Sequence, residues 1–481
     1  MEPIILLYAL LALLLLLIFT VIIRTLLFKP KPTETLKTDE IPVDTEKAVA
    51  DLAQMIRCRT VSHFNKDEDD EREFSKFVEL LPTLFPEIYK KCEYTEVNDR
   101  ALLFKLCGRE SGSPSVFMAH YDVVSADEER WQKPPFDGVI ENGVLWGRGA
   151  LDTKVTLNAA MQALEALLKS GFEAKRDIYF AFAGDEEING GGASSIVDYF
   201  EKEGITPSLV LDEGGAVVNN VFPGVKTPCA MVGIAEKGML NVELSCKSNG
   251  GHSSAPKPHT PVSILSRACT RIEGKPFKMR ISGAASSMFN TLARHSSFFF
   301  RMIFANLFIF SPVLDLIGRK TGGELNALMR TTCAFTQMKG SDGMNVIPTN
   351  ARMVANLRIN PGETVETAVS RLKRTVNDDR VNISVLYGND PSRVSLSDCD
   401  GYKRVERAIL STWENTISSP YLMVACSDSR HWGRICDRVY RFSAMALTGE
   451  ERASIHGNDE RIPYDTVRRS VEFYTRLIKE C

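Results

Sequence analysis

Apolar and polar positions divide the chain into an N-terminal run, a linker and a long alternating body. From Ile4 to Ile23 no charge interrupts "IILLYALLALLLLLIFTVII". As a helix, a run of that length crosses a hydrocarbon core of roughly 30 Å. Residues 29–46, "KPKPTETLKTDEIPVDTE", are proline-rich and charged and read as a linker. The body then alternates. Apolar runs at 101–107, 115–119, 177–183 and 208–211 read as strands. Residues 153–170 and about 192–203 read as helices, the first ended by Gly171. Strands alternating with helices predict an α/β fold with a mainly parallel sheet. Ligands of such sheets gather at the carboxyl ends of the strands.

The pattern changes near residue 230. Residues 230–246 and 350–359 read as strands flanking helices near 260–273 and 364–377. They predict a second, smaller α+β unit inserted into the first. From about 399 the α/β pattern returns, ending in a helix over 464–479. The expected division is an anchor at 1–28, a linker at 29–46 and a first domain beginning at 47–233. The smaller unit follows at 234–360, with an apolar insertion at about 275–340. Residues 361–481 hold its end and the rest of the first domain. Within the insertion, residues 288–318 are very apolar, but His295, Arg301 and Asn306 argue against a second full span. The segment reads either as a helix packed on the smaller unit, or as a membrane-facing piece or wall of a lipid-sized pocket.

Composition narrows the function classes. The chain has 481 residues, 44% hydrophobic and 25% charged, which is ordinary for two or three globular domains. A net charge of −3 carries no sign of nucleic-acid binding. Eleven scattered cysteines without a CxxC pair argue against a disulfide framework and a zinc–thiolate site. The N-terminal run lacks the basic start, short apolar core and small-residue cleavage site of a signal peptide, and reads as an uncleaved anchor. Arg24, Lys29 and Lys31 follow it, which by charge bias leaves the body on the cytoplasmic side.

The chemistry lies at the strand ends. In "MAHYDVV", His120 and Asp122 share one face of a strand. A metal-binding histidine commonly donates its second ring N–H to a carboxylate. Further acids follow: Asp152 in "GRGALDTK", Asp185, Glu186 and Glu187 in "GDEE", and Asp212 and Glu213 in "LDEGG". His456 stands in "IHGNDER". A single acidic strand end is ordinarily an N-cap or a solvated turn. Five such groups together, with two of only seven histidines among them, point to a metal site. Imidazole and carboxylate without thiolate suit zinc. Hydrolases hold two such ions roughly 3.5–4 Å apart. Adjacent glutamates can then divide the work, one binding metal and one acting as general base.

HYD, GRGALDTK, GDEE, LDEGG and IHGNDER, in this order, resemble the dizinc peptidase family of aminoacylase-1, glutamate carboxypeptidase and carboxypeptidase S over residues 47–481. The anchor, the chain length and "NVIPTNARMVANLRINPGET" are most similar to its carboxypeptidase S and N-fatty-acyl-amino-acid hydrolase/synthase branch. The resemblance implies a catalytic α/β domain interrupted by a smaller lid, and two zinc ions. It implies that Asp152 bridges the ions, that His120 and Asp212 complete one site, and that Glu187 and His456 complete the other. Glu186 is then the general base, and Asp122 orients His120. In the lid, His252 of "NGGHSSAP" matches an oxyanion-stabilising histidine often supplied by a partner subunit, which allows a homodimer. Arg358 of "NLRINPG" matches an arginine that holds the substrate carboxylate. Asn345 of "MNVIP" matches a further donor to the carbonyl, and residues 427–430, "SDSR", a substrate-site loop.

The activity implied is hydrolysis of an amide beside a free carboxylate, in small peptides or N-acyl amino acids. With fatty-acyl amino acids the same site could run in reverse as a condensation. Two other readings compete: a membrane-anchored binding or scaffold protein that kept the fold, and a dizinc aminopeptidase or deacetylase. The complete ligand set disfavours the first, and Arg358 the second. The branch is typically luminal or secreted, against the charge bias, so the side of the membrane stays open.

Overall fold

The computed structural model describes residues 2–30, 39–98 and 100–481. Part of the linker expected at 29–46, residues 31–38, lies outside the described residues. Two sheets organise the body. The larger begins with β1 (Glu93–Asn98), β2 (Ala101–Leu106), β3 (Ser115–His120), β4 (Ile178–Ala183), β5 (Leu209–Val218) and β6 (Cys229–Glu236). The smaller contains β7 (Gly238–Lys247), β8 (Thr332–Lys339), β9 (Asn350–Ile359) and β10 (Val381–Asn389). The chain then returns to the larger sheet with β11 (Ile417–Met423) and β12 (Val439–Leu447).

The larger sheet has the order β1-β2-β4-β3-β5-β12-β6-β11. Its centre, β4-β3-β5-β12, is parallel, and β11 runs parallel to β6. Strands β1 and β2 close one side antiparallel, and β6 meets β12 antiparallel. The result is a mixed α/β sheet with a parallel core. Central strands read as unbroken apolar runs because both faces are covered: "SVFMAH" of β3 and "IYFAFA" of β4 are buried throughout. Helices Lys154–Lys169 and Tyr464–Lys479 pack together over one face, and helix Gly192–Lys202 covers the other. Strand β2 divides itself between them, with Leu102, Phe104 and Leu106 on one side and Ala101 and Leu103 on the other.

The smaller sheet, order β8-β9-β7-β10, is antiparallel and one-sided. Burial alternates along β7 and β9, as a period of two requires. Its buried face packs on helices Pro261–Glu273 and Val365–Val376.

Three details were not visible in the pattern. The run 230–246 is two strands, β6 in one sheet and β7 in the other. The break falls at Lys237, whose buried ammonium donates to the carbonyls of Ala327 and Arg330 at 2.8 Å each. The smaller sheet extends to β10, which pairs with β7 beyond residue 360. The apolar insertion divides: Phe277 and β8 belong to the smaller unit, and the stretch between them packs elsewhere. Its helix Gly283–His295 lies against β11 of the larger sheet and joins the main core. The N-terminal helix Glu2–Leu27 is long and apolar enough to cross a membrane.

Candidate active site

The carboxyl ends of β3 and β4 and the middle of β5 meet at one edge of the parallel core. His120 ends β3, and Glu186 and Glu187 follow β4 within four residues. Asp152 stands just before helix Lys154–Lys169, and Glu213 lies within β5. His456 comes from a distant turn, in left-handed backbone with φ +58°.

Asp152 joins these pieces. Its Oδ1 lies 3.1 Å from His120 Nε2, and its Oδ2 lies 3.0 Å from His456 Nε2. His120 Nε2 is also 3.4 Å from Glu213 Oε1. His456 Nε2 is 3.1 Å from Glu187 Oε2. Two groups result, His120–Asp152–Glu213 and Asp152–Glu187–His456, and they share one carboxylate.

Two more buried carboxylates hold this arrangement. The His120 Nδ1 edge faces Asp122, 3.0 Å from its carbonyl oxygen and 3.3 Å from Oδ1. The Asp122 carboxylate accepts the backbone N–H groups of Glu186 and Glu187, both at 3.1 Å, and the Ser62 hydroxyl at 2.6 Å. Asp122 therefore turns Nε2 of His120 toward Asp152 and pins the GDEE turn. Glu460 does the same for the opposite loop. One of its oxygens accepts the N–H of Leu151 at 2.6 Å and of Asp152 at 3.1 Å. The other accepts the N–H of Gly149 at 3.1 Å and the Arg148 guanidinium at 2.8 Å. Sequence reasoning missed both Glu460 and Ser62. The signal for Glu460 was present, a second acid four residues after His456 in a motif already singled out.

Asp212 is a correction. It was expected beside His120, yet the structure puts Glu213 there. Neighbours in an extended strand face opposite ways. Asp212 Oδ2 instead accepts the Ser429 N–H at 2.9 Å, on the side where Ser427 N–H donates to Glu236 at 2.9 Å. The "SDSR" loop is thus tied down by Asp212 and Glu236 beneath it.

The electrostatics fit cations. Burial, then the charge of Asp152, push Glu213 up to about 8. Burial holds Glu186 well above the carboxylate range, with Asp428, Glu213 and Glu187 adding to the effect against His120. Burial also acts on Asp152, but hydrogen bonds from His120 and His456 hold it low. Hydrogen bonds to Asp152 and Glu187 push His456 up to about 10. Glu187 Oε1 is buried without a hydrogen-bond partner. Acids crowded in a low dielectric are costly unless positive charge compensates them. Metal ions in the two groups would supply that charge, and the nitrogen and oxygen donors suit zinc.

A model of peptidase family M20/M25/M40 matches residues 116–480. The chain belongs to this family. It is similar to "Probable carboxypeptidase S-like 2" of Dictyostelium discoideum, 34% identical over 95% of this chain and 91% of that one. It is also similar to the "N-fatty-acyl-amino acid synthase/hydrolase PM20D1" of Xenopus tropicalis, 35% identical over 96% and 91%. Among solved structures, an M20 family metallo-carboxypeptidase of Sulfolobus solfataricus shares the fold with a TM-score of 0.67, at 17% identity over 90% of this chain and 98% of that one. Human carnosine dipeptidase 1 shares it with a TM-score of 0.64, at 14% identity over 91% and 96%. This M20 chain is accordingly a metallohydrolase, with its candidate metal ligands around Asp152.

A cavity of about 390 Å³ opens from the cluster. Asp152, Glu186, Glu187, Glu213 and His456 form its polar end. Val221, Met231, Met288, Met423, Met445 and Leu447 line much of the remainder, with Glu324, Tyr421, Ser443 and Arg452. A larger groove of about 670 Å³ beside Trp413 and Arg476 shares no residue with the cluster. Of the expected lid residues, Arg358 reaches the cavity wall, with Nη1 3.5 Å from Cys426 Sγ. His252 sits on an exposed two-stranded ladder opposite Val346, and Asn345 just precedes that ladder, its carbonyl accepting the Ser253 N–H at 3.0 Å. Neither lines the cavity.

Two outcomes follow from this geometry. Glu460→Gln removes an acceptor behind Asp152, so metal affinity falls roughly 10–100-fold, as for other outer-shell partners. Chelator competition measures it, with circular dichroism unchanged. The metal-free protein also loses stability as pH rises. Glu213 is raised from 4.5 to about 8 and His456 from 6.5 to about 10, so the folded state binds more protons than the unfolded one. Their contribution is complete below the unfolded values and disappears as pH climbs through the folded ones. Melting of the chelated protein between pH 6 and 9 should show the decline, and zinc should flatten it.

Proposed function

We propose that this M20 enzyme hydrolyses N-fatty-acyl amino acids, and forms them by the reverse condensation, at two zinc ions joined by Asp152. The carrying observation is the cavity. It begins at the carboxylates and runs past five apolar side chains, Val221, Met231, Met288, Met423 and Met445, a lining that suits a hydrocarbon chain, with Glu324 and Arg452 also on its wall. Its size falls in the range of small-molecule sites, roughly 300–1,000 Å³. The likeness to PM20D1 synthase/hydrolases agrees with this reading.

His120, Asp152 and Glu213 would hold one ion, and Asp152, Glu187 and His456 the other. When bound, the ions polarise the amide carbonyl and make water a nucleophile near neutral pH. Glu186, with no metal-group partner of its own, takes the proton of the attacking water. It then delivers that proton to the amide nitrogen as the C–N bond breaks, releasing a fatty acid and an amino acid. A carboxylate held beside the metal groups suits a role in which one proton is first accepted and then donated. The guanidinium of Arg358, at the cavity wall, would receive the free carboxylate as a two-pronged donor. His252 would act only if a lid movement or a second subunit brings it in.

We also read Glu2–Leu27 as an uncleaved anchor. Its end is stitched into the body rather than set apart from it. Arg24 Nη2 donates to the Ala305 carbonyl at 3.0 Å, and Arg294 Nη1 to the Lys29 carbonyl at 2.9 Å.

Hydrolysis of N-acyl amino acids of increasing chain length, beside free dipeptides, tests the substrate. Turnover should rise with acyl length, whereas a preference for dipeptides would make this a carboxypeptidase. Glu186→Gln should lower kcat by about 10²–10⁴-fold with metal content retained. Met288→Trp should fill the cavity, so that long-chain substrates lose kcat/KM while N-acetyl substrates keep theirs.

A further inference from the structure

The helices Phe298–Ala305 and Leu307–Thr321 meet at a bend of 107° at Asn306. Neither the eight residues of the first nor the fifteen of the second could span a bilayer at 1.5 Å per residue. Yet Phe298, Phe299, Phe308, Val313, Leu316 and Ile317 all face outward, with Phe299 and Phe308 61% and 62% exposed. Large apolar side chains exposed together on two joined helices mark a contact with something else.

The neighbouring element indicates what that is. The bent pair packs on the end of the N-terminal helix, itself apolar and exposed through Leu26 and Leu27. The Asn306 amide donates to the carbonyls of Met302 at 2.8 Å and Val21 at 3.3 Å, and to the Thr25 hydroxyl at 3.3 Å. Arg24 binds the Ala305 carbonyl at the break and lies 5.2 Å from the Phe308 ring centroid. Asn306 and Thr25 are fully buried. A helix break surrounded by lipid needs its polar groups met within the protein; here the Asn306 amide and the Arg24 guanidinium meet the carbonyls of Val21, Met302 and Ala305, while Asn306 Oδ1 is buried without a partner. The charges inside the pair are treated likewise. Arg301 turns back to the Ser296 carbonyl at 2.9 Å, and Asp315 is paired with Arg319 and Arg330. Arg294, Arg319 and Lys320 stand at its ends, where phosphate headgroups would meet them.

We propose that the bent pair dips into the bilayer beside the N-terminal helix, as a second membrane contact that brings the cavity to the lipid. This rests on reading Glu2–Leu27 as an anchor. The link to the cavity is one helix long. Met288 lines the cavity, and its neighbour Phe289 packs on Phe304 of the bent pair with ring centroids 5.2 Å apart. A fatty-acyl substrate dissolved in the membrane would thus lie one helix from the site.

The test places tryptophan probes in the full chain, reconstituted into vesicles of phosphatidylcholine brominated mid-chain. Phe299→Trp and Phe308→Trp should add emission that the bromine quenches. Ile140→Trp, exposed outside both segments, should add emission that it does not. A chain that floats with the vesicles while Phe299→Trp and Phe308→Trp stay unquenched would overturn the proposal and leave the anchor standing. A chain that does not float would remove both. Emission that shifts with protein concentration in detergent, without response to bromine, would assign the patch to a second copy instead and also overturn the proposal.

Discussion

One carboxylate, that of Asp152, is the point on which the catalytic architecture depends. It touches two histidines that lie 336 residues apart in sequence (456 − 120), one at the end of a central strand and one in a late turn. Everything around it fixes that position. Glu460 binds the N–H of Asp152 itself, Asp122 sets His120 and the GDEE turn, and the parallel core sets the strand ends. The cost is a buried collection of acids that repel one another. Several are driven toward their neutral forms, so the folded chain is completed electrostatically by cations. Metal binding and stability are therefore linked.

The same constraint explains how the site meets its substrate. The metal-cluster carboxylates and His456 line one part of the cavity, and methionines and aliphatic residues line most of the rest, together with Tyr421, Ser443, Glu324 and Arg452. Methionine is a flexible apolar filler, suited to a chain whose conformation varies. The apolar insertion supplies part of that wall through Met288 and continues outward to the exposed phenylalanines and the N-terminal helix. The cavity wall at Met288 and the exposed bent pair are thus joined through the packing of Phe289 on Phe304.

Much of this was legible in the sequence because it is local. The strands at 115–120 and 178–183 and the helices at 154–169 and 464–479 follow from periodicity, and acids at strand ends follow from the fold class. Other features depend on three-dimensional facts that periodicity does not carry. Asp212 and Glu213 are adjacent acids, and only the facing of β5 decides that Glu213 meets His120. The run 230–246 looks like one strand, because Lys237 is buried by carbonyls far away in sequence. Residues 288–318 signal burial by something apolar, but composition alone cannot say that the helix before them packs on β11 and that the bent pair packs on the N-terminal helix.

The most direct test of the account is anomalous diffraction at the zinc edge from crystals of the metal-loaded full chain. Two peaks roughly 3.5–4 Å apart, one on each side of the Asp152 carboxylate, with Glu213 rather than Asp212 in contact with the ion beside His120, are the expected result. A single peak, or an ion held by Asp212 with Glu213 turned away, would contradict it.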